Sequence, residues 1–532
     1  MPIPFIVGVT GHRDIIVNDT SLLEEVVRLQ LKQLKDRCPH TPMRMVNSLA
    51  EGADQLCAQI ALELGLELIV ALPMELSDYE KDFQDDALIG LHELLEKAKE
   101  VFIAPDKECK SMKDRDYRYR QAGIYIASSS HLLLALWDGD NEHVSSCGTA
   151  AVVDFMLKPT YDCEDSPFKA MGDGVVLHIK TPRMSNPVMD GAYSIRFLEN
   201  HSGSLYKTLQ LTDRFNMDST DLTTTDLSIP LNNETVSKMG PISLNLYHHF
   251  QQADALSVIY RDKYLRSVLK ISIFGMLMVL TFLLYNQLNL SIFLVIYGTL
   301  FLAMFFVFKI NSKRQFQIRY LEYRALAESI RIQLYLQLLG VHQNLCESLI
   351  WPNHPKNVWI RDAVTALLVG IPEKAVLTEE ELKTSWIVDQ LAYQQRKRKE
   401  DVRKESLQSI TKKVMLVTSI LSFLLVCFLR IFNNPRMMNS GEAMVLQRVF
   451  DVFMGSVTAA TAFTGNYYGK LSLKRKISDH DKMIALYKVA LELYDHPEIK
   501  REKLFITLAK ESMIENGDWL TYCRDETPSI FL

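Results

Sequence analysis

The 532-residue sequence lacks the paired cysteines of a structural zinc site or of a disulfide-bonded secreted domain. Its eight cysteines are scattered singly, with no CxxC pair, so we expect reduced thiols in a cytosolic setting. The adjacent histidines His248 and His249 would point about 100° apart on a helix and cannot form an i, i+4 metal pair. We therefore expect no metal site.

The sequence also lacks an excess of basic residues. Its 59 Lys and Arg residues stand against 64 Asp and Glu residues, which gives a net charge of -5. A basic surplus is typical of proteins that bind nucleic acid, so we expect no nucleic-acid partner. The amino-terminal segment has no basic region followed by a long apolar core, and we expect no signal peptide.

One long stretch lacks charged residues altogether. Residues 271–308 are thirty-eight consecutive positions without Asp, Glu, Lys, Arg or His, and the polar turn 286–289 divides them. Each half has about nineteen residues, which at about 1.5 Å per residue crosses a hydrocarbon core of roughly 30 Å. A single such run could be a buried core helix, but two runs joined by a short turn predict a transmembrane hairpin at about 268–308.

Two further apolar runs predict a second hairpin, at about 414–431 and 449–469. The last run is rich in small and hydroxyl-bearing residues, which allow close helix packing in membranes. We interpret it as a pore lining or a helix interface of an assembly, with packing inside one subunit as the alternative. The candidate residues are Gly455, Ser456, Ala459, Ala462 and Thr464.

Basic residues flank the four predicted crossings on one side of the membrane. They occur at 261–270, 309–314, 396–413 and 470–476. By the positive-inside rule, both termini and the central segment should face the cytoplasm, which predicts a multi-pass protein of the cytoplasmic (inner) membrane. The basic segment 396–413 could also bind anionic headgroups or nucleic acid, but the positive-inside rule already accounts for its charge.

The first 185 residues alternate short apolar runs with amphipathic helical patterns. The runs that predict strands lie at 5–9, 45–49, 68–72, 101–104, 132–137 and 175–179. Continuous apolar strands separated by helices indicate a parallel sheet that is covered on both faces. We therefore predict an α/β fold, a Rossmann-like doubly wound parallel sheet, for residues 1–185.

Unusual residues follow four of these predicted strands. In doubly wound sheets, ligands bind outside the carboxyl ends of strands, where turns and helix N-termini present N–H groups to anions. Arg13 can pair with a phosphate, and Glu51, Asp54 or Asp138 can accept hydrogen bonds from ribose hydroxyls. Neither a GxGxxG nor a Walker A sequence is present, and each loop alone could be a plain turn. The candidate ligand-binding residues are Gly8, Thr10, Gly11, His12, Arg13, Ser48, Glu51, Gly52, Ala53, Asp54, Pro73, Tyr79, Trp137, Asp138, Gly139, Gly148 and Thr149.

The motifs GVTGHR, SLAEGAD, LLLALWDG and CGTA, followed by VVLHIKTPR, resemble the SLOG superfamily. This Rossmann-like group includes LOG-type phosphoribohydrolases and nucleotide-sensing domains of bacterial defence systems, and the resemblance covers about residues 1–185. It implies a nucleotide-derived ligand and no other cofactor. A LOG-type enzyme would carry PGGxGTxxE, but Val152 occupies the position of the catalytic glutamate. We therefore expect binding without turnover and no catalytic residue, although Asp154 and Glu51 leave a hydrolase as the alternative.

Residues 186–242 turn polar, and we expect a linker or insert with one short helix near 205–215. Beyond it we expect an all-α membrane domain with four transmembrane helices. Residues 243–413 would hold the first hairpin with cytoplasmic helices, and residues 414–532 the second hairpin with C-terminal cytoplasmic helices. On one of these helices Glu328 should pair with Arg324 and Arg331.

The segments YRALAESIR, WIVDQLAYQQR and AKESMIENGDWL resemble the SLATT membrane modules, which accompany SLOG and nucleotide-synthesising proteins in bacterial conflict systems. The two resemblances together imply a membrane effector of an antiphage defence system. A nucleotide second messenger, made by an enzyme encoded nearby, would bind the SLOG-like domain, and a homo-oligomer would then disrupt the membrane. A membrane-anchored nucleotide hydrolase and a nucleotide-gated ion channel are the alternatives.

Overall fold

The computed structural model describes residues 2–16, 20–106, 114–140, 147–158, 174–199, 204–223, 231–352, 354, 356–432 and 440–525. The chain divides into two compact units. The first unit comprises Met1–Leu256, Glu322–Glu379 and Phe505–Leu532. The second unit comprises Ser257–Leu321 and Glu380–Leu504.

A seven-stranded sheet forms the centre of the first unit. Its strands are β1 Phe5–Gly11, β2 Met43–Asn47, β3 Glu67–Leu72, β4 Glu100–Ile103, β5 Leu132–Trp137, β6 Val175–Lys180 and β7 Ile195–Glu199. The spatial order is β4-β3-β2-β1-β5-β6-β7, and every neighbouring pair is parallel except β6 with β7. The predicted α/β class with a mostly parallel sheet is confirmed.

Seventeen helices are present in the described residues. They are α1 Thr20–Arg37, α2 Ala53–Glu63, α3 Leu76–Tyr79, α4 Asp85–Lys97, α5 Arg115–Ser129, α6 Thr149–Leu157, α7 Ser204–Thr220, α8 Asn233–Ser237, α9 Pro241–Leu288, α10 Ser291–Arg314, α11 Phe316–Leu338, α12 Val358–Leu367, α13 Glu379–Leu382, α14 Asp389–Phe432, α15 Ser440–Leu471, α16 Leu473–Tyr494 and α17 Arg501–Asp525. A π-helical segment, Lys383–Val388, joins α13 to α14.

The core of the first unit follows from the apolar strands. All six residues of β5 are buried, as expected for a central strand covered on both faces. On one face of the sheet, Val27 and Leu31 of α1 and Ala58 of α2 pack in the same apolar cluster as Val7 of β1. Burial of such side chains contributes roughly 25 cal/mol per Å² of apolar area, so this cluster stabilises the sheet.

The segment 186–242, expected as a polar linker, is structured over much of its length. It contributes the edge strand β7 and the helices α7 and α8. The expected short helix is α7, which is longer than predicted. Its apolar residues Leu205 and Leu209 join the core of the sheet, and its polar residues make buried hydrogen bonds. A polar composition therefore did not indicate a linker here, because the polar side chains have partners in the fold.

Asn216 of α7 is 1% exposed and caps the amino-terminal end of the sheet. Its Oδ1 accepts a hydrogen bond from the Ile3 N–H at 2.8 Å, and its Nδ2 donates to the Ile3 carbonyl at 2.9 Å. On the same helix, Arg214 pairs with the buried Glu322 of α11 at 2.6 Å. The other oxygen of Glu322 accepts from Arg524 of α17 at 3.1 Å. These buried bonds join α7, α11 and α17 to one another within the first unit.

Three helical segments are long and apolar enough to cross a membrane, and they lie in α9, in α10 and in the helix that leads from Glu379 through α14. The predicted first hairpin appears as α9 and α10, which break at Asn289, a residue with a positive φ of 52°. Many apolar side chains of α10 are exposed, including Val295 and Phe306 at 61% each. An apolar surface of this kind is what a helix presents to lipid.

The fourth predicted crossing is helical but is not among those three segments. It lies in α15, where hydroxyl residues such as Thr458 and Thr461 and the charged pair Arg448 and Asp451 lower the hydropathy. Helix α15 packs closely within the chain: a Cβ at Gly455 would approach Leu283 Cδ1 of α9 to 2.6 Å. The described residues therefore give three membrane-length helices, and α15 packs against two of them, α9 and α14.

The buried cap at Asn216 predicts a measurable loss of stability. Replacing Asn216 by Ala removes both hydrogen bonds to Ile3 and leaves two buried backbone groups without partners. Each unpaired buried group costs about 1–3 kcal/mol, so Asn216→Ala should lower the unfolding temperature of the detergent-solubilised chain by several degrees. Met217→Ala, at an exposed position of the same helix, is the control and should have little effect. An equal shift for both variants would contradict the capping role.

Candidate functional site

A cavity of about 680 Å³ opens in the first unit at the carboxyl ends of β1 and β5. These strands are neighbours, paired in parallel through Gly8↔Leu133 and Gly11↔Leu136. The chain continues from β1 toward β2 on one side and from β5 toward β6 on the other. The loops that follow the two strands therefore diverge and leave a gap, the usual ligand position in open α/β sheets.

The structure brings together most of the residues that the sequence singled out. The predicted residues that line the cavity are Thr10, Gly11, His12, Arg13, Ser48, Asp54, Tyr79, Trp137, Asp138, Gly148 and Thr149. The predicted residues outside its lining are Gly8, Glu51, Gly52, Ala53, Pro73 and Gly139. Each of these six lies within two residues of a lining residue or a sheet strand in sequence, so their motifs surround the cavity although the residues themselves do not line it.

The glycines have a packing role that the sequence did not show. A Cβ at Gly11 would overlap the methyl group of Ala53, and a Cβ at Gly8 would overlap the hydroxyl of Ser130. Gly52 has a φ of +85° and lies against the carbonyl of Arg13, a conformation that favours glycine. These glycines allow α2 and α5 to approach β1 closely.

His12 links the loops that follow β1, β2 and β5. Its N–H donates to the Leu136 carbonyl at 3.1 Å, and its carbonyl accepts from the Ala53 N–H at 3.1 Å. Its Nε2 accepts a hydrogen bond from the Asp138 N–H at 3.0 Å and lies 3.2 Å from Asp138 Oδ1. Because Nε2 is an acceptor, the proton of the neutral ring is on Nδ1. Burial lowers the pKa of His12 below 6.5 despite the nearby Asp138 carboxylate, so the imidazole is neutral at pH 7.

Asp138 also faces a cation that comes from the loop after β6. Arg183 Nη1 lies 4.0 Å from Asp138 Oδ2, and its Nε donates to Asp14 at 3.2 Å. Burial opposes ionisation of Asp14, but hydrogen bonds from Arg183 and Ser185 outweigh it and hold the pKa of that carboxyl below its usual value. This side of the cavity therefore carries carboxylates whose charge is offset by one arginine.

Helix α5 supplies the opposite wall. Arg115 Nη2 donates to Asp82 Oδ2 at 2.5 Å, and the Tyr119 hydroxyl donates to the same carboxylate. The Arg13 guanidinium lies 5.2 Å from the centroid of the Tyr119 ring, within the range of a cation–π contact. Arg13 has no carboxylate within ion-pair distance among the described residues. Of the three arginines that line the cavity, it is therefore the one whose charge is available to an anion.

Residues of α6 complete the cavity next to these groups. Gly148 is the N-cap of α6, and Thr149 and Ala150 are its first residues, whose N–H groups have no acceptor within the helix. The partial positive charge of such a terminus favours an anion. Val152, at the position of the LOG-type glutamate, lines the cavity with an apolar side chain, and Asp154 is exposed outside it.

Sequence reasoning missed Arg115, Tyr119, Asp14 and Arg183 as site residues. Arg115 and Tyr119 lie on the first turns of α5, which follows an edge strand rather than a glycine-containing loop. Their i, i+4 spacing places them on one face of that helix, and this was the one available signal. Arg183 follows β6 directly and was quoted only as part of the VVLHIKTPR motif.

The sequence matches no family model and no curated protein. Among the described residues, no cluster of three His, Cys, Asp or Glu side chains has the geometry of a metal site.

The geometry at His12 predicts an unusual titration. Because its ring is buried and its Nε2 accepts a backbone hydrogen bond, the His12 imidazole should titrate below 6.5. Histidine-selective ¹³C labelling of the full chain, with His12→Gln to assign the signal, measures this midpoint. A midpoint above 6.5 would mean that a charged pair with Asp138 dominates and would contradict the neutral ring.

Proposed function

We propose that the chain is a membrane effector that a nucleotide-derived anion controls. The cavity at the ends of β1 and β5 binds this anion, and the membrane helices respond by making the membrane permeable. The proposal rests on one observation: Arg13, which has no ion-pair partner among the described residues, and the N-terminus of α6 line the same cavity of about 680 Å³. A volume of this size suits a nucleotide or a dinucleotide fragment.

The mixed charge of the cavity favours a nucleotide over a simple inorganic anion. Arg13 and the α6 N-terminus can hold a phosphate. Carboxylates such as Asp14 and Asp138 can accept hydrogen bonds from ribose hydroxyls, which an inorganic anion does not offer. An adenosine-like or ADP-ribose-like ligand has both kinds of group, and the resemblance of the surrounding motifs to SLOG proteins supports the same class.

The three membrane-length helices support the effector half of the proposal. The chain passes between its two compact units at residues 256–257, 321–322, 379–380 and 504–505, and each of these positions lies inside a helix. A helix transmits displacement along its axis better than a flexible loop does. We infer that ligand binding shifts an equilibrium between closed and open membrane states, by as much as the ligand's affinity differs between them.

Helix α15 is the proposed fourth crossing and the contact between subunits. Gly455 and Ala459 face the interior of the chain. Their position fits the alternative, in which α15 packs within one subunit. Thr458, Ala462 and Asn466 are exposed on another side, and a Cβ at Gly465 would meet nothing within 4 Å. The Thr458 hydroxyl donates to the Met454 carbonyl of its own helix, so the exposed amide of Asn466 is the polar group that lipid cannot satisfy. Together with the small residues on the same side, it favours a homo-oligomer or a water-filled pore. Ser456 and Thr464 are partly buried and fit either role.

The biological setting in this proposal is bacterial antiphage defence at the inner membrane, with both termini in the cytoplasm and a messenger-synthesising enzyme encoded nearby.

A hydrolase is the second candidate, because the buried Asp54 carboxyl in the cavity has its pKa raised by burial to about 7, a value that suits a general acid or base. Incubation of the full chain with a nucleotide panel separates the two, since only the hydrolase releases product.

The anion site predicts a loss of affinity in one variant. Arg13→Ala removes a charge-assisted hydrogen bond worth about 1.5–3 kcal/mol, so binding of ADP-ribose to the full chain should weaken roughly ten- to a hundred-fold. Calorimetry on the detergent-solubilised protein measures this. Arg28→Ala, at a surface pair with Glu63 outside the cavity, is the matched control and should bind as the wild type does. Equal affinity of wild type and Arg13→Ala would refute the assignment.

The coupling of ligand to membrane predicts a second result. Gly148→Asp should fold, because Asp is a good N-cap, but its carboxylate would repel an anion from α6. Gly148→Asn supplies a similar cap without the charge. In liposomes loaded with a fluorescent dye, ADP-ribose should release dye through wild type and Gly148→Asn, and much less through Gly148→Asp. Ligand-dependent release that is the same for all three proteins would rule out control through this cavity.

The membrane part is best tested in the full chain. Residues 322–379 and 505–532 belong to the same compact unit as the sheet, so a fragment that begins near residue 243 would separate them from their packing partners. His131, for example, donates from Nε2 to the Asp362 carbonyl at 2.9 Å, while its Nδ1 accepts from the Ile6 N–H at 2.8 Å. Point variants in the intact protein avoid this loss.

A further inference from the structure

We propose that Asp54 determines ligand specificity in the cavity: as a neutral carboxylic acid it donates a hydrogen bond to an acceptor atom of the bound anion. This inference rests on the proposed nucleotide-binding function of the same cavity and adds a residue role to it. A neutral acid can donate to an oxygen or nitrogen lone pair, whereas a carboxylate can only accept and would repel an anion.

The position of Asp54 carries the argument. It is the second residue of α2, 7% exposed, and forms part of the cavity wall. The hydrogen bond that its Oδ2 accepts from the Ala50 N–H is 3.4 Å long, at the weak end of the range. A buried carboxylate that receives only this long hydrogen bond and a smaller contribution from the Ser48 N–H is poorly compensated for the water it has lost, which favours the protonated form.

The groups around Asp54 do not supply the missing compensation. Arg13, from the loop after β1, is the cation that acts on it, but the Arg13 side chain is exposed and lies over Tyr119. Tyr79 of α3 and Cys57 of α2 also interact with Asp54. Burial raises the pKa of both side chains, so both are neutral. Burial is the largest influence on Asp54 itself and raises its pKa to about 7, against the effects of the Ala50 and Ser48 N–H groups and Arg13.

Asp54 therefore differs from two other carboxyls that line the cavity, Asp14 and Asp82. Asp14 and Asp82 have their pKa values lowered because hydrogen bonds from Arg183 and Ser185, and from Tyr119 and Arg115, outweigh burial. Those groups remain acceptors at neutral pH. Asp54 alone among these three can present an O–H to the ligand, so an acceptor-rich part of the ligand should lie against α2.

The test measures ADP-ribose binding to the full chain by calorimetry between pH 5.5 and 8.5. ADP-ribose is a suitable probe because its pyrophosphate does not titrate in this range. For the wild type, the dissociation constant should rise roughly tenfold per pH unit well above 7, a range in which His12 stays neutral. The Asp54→Asn side chain has the same shape and offers an N–H donor that does not titrate. The dissociation constant of this variant should therefore not change with pH across the same range. Glu67→Gln makes the same chemical change at an ionised carboxyl outside the cavity and should keep the wild-type profile.

Two results would overturn the inference. A wild-type dissociation constant that does not change with pH, or an Asp54→Asn variant that keeps the wild-type slope, contradicts the donor role while leaving the nucleotide site intact. No binding of ADP-ribose at any pH contradicts the proposed ligand class together with the donor role that depends on it.

A measurement without ligand tests the neutral state of Asp54 by itself. A carboxyl whose pKa is raised on folding stabilises the protein at low pH, and that stability is lost as the pH rises from its ordinary value of 3.8 to about 7. The unfolding temperature of Asp54→Asn minus that of the wild type should therefore increase from pH 5 to 7 and then stay level. A difference that does not change with pH would show that Asp54 is ionised throughout and would overturn the donor role.

Discussion

The reversal of strand order at β1 is the constraint on which the rest of the first unit depends. Because β1 lies between β2 and β5, the chain leaves the ends of β1 and β5 in opposite directions and a gap must form. The backbone N–H and C=O groups in the loops beside this gap have no neighbouring strand to hydrogen-bond with, so they need other partners. His12 supplies them: its backbone joins Leu136 and Ala53, and its ring accepts from the Asp138 N–H. A single residue thus holds three loops at the distances that define the cavity.

The charges placed around that gap limit what it can bind. Arg115 and Arg183 are engaged by carboxylates of the protein, so the cavity does not offer the strongly positive surface that a triphosphate prefers. Arg13 and the α6 N-terminus remain available to an anionic group, and in the proposed function the carboxylates accept hydrogen bonds from the ligand. A site with these groups gains selectivity from the pattern of hydrogen bonds more than from net charge, as the proposed nucleotide sensor requires.

Much of this architecture could be predicted from the sequence, because its signals are local. The strand at 132–137 was located to the residue, and the loops after β1, β2 and β5 were recognised by their unusual residues. The predicted pairing of Glu328 is confirmed, with Arg331 at 2.5 Å and Arg324 at 3.4 Å. The break at Asn289 between two apolar helices also followed from composition.

What the sequence could not show depends on contacts between distant segments. Strand β7 escaped notice because Ile195, Arg196 and Phe197 are exposed at the sheet edge and lack the pattern of a buried strand. Helix α7 was predicted as a shorter helix inside a linker, because Asn216 and Arg214 are polar and only the fold supplies their partners. The α5 wall of the cavity was missed for the same reason. Four crossings were expected, but α15 is less apolar than the three membrane-length helices, so the number of crossings remains part of the proposal.

The central claim is that a ligand in the cavity changes the state of the membrane helices. Hydrogen–deuterium exchange of the full chain in lipid nanodiscs, with and without ADP-ribose, tests it most directly. The account predicts slower exchange in the loops after β1 and β5 and at the start of α6, together with altered exchange in α9 and α15. Slower exchange confined to the cavity loops, with no change in any membrane helix, would contradict it.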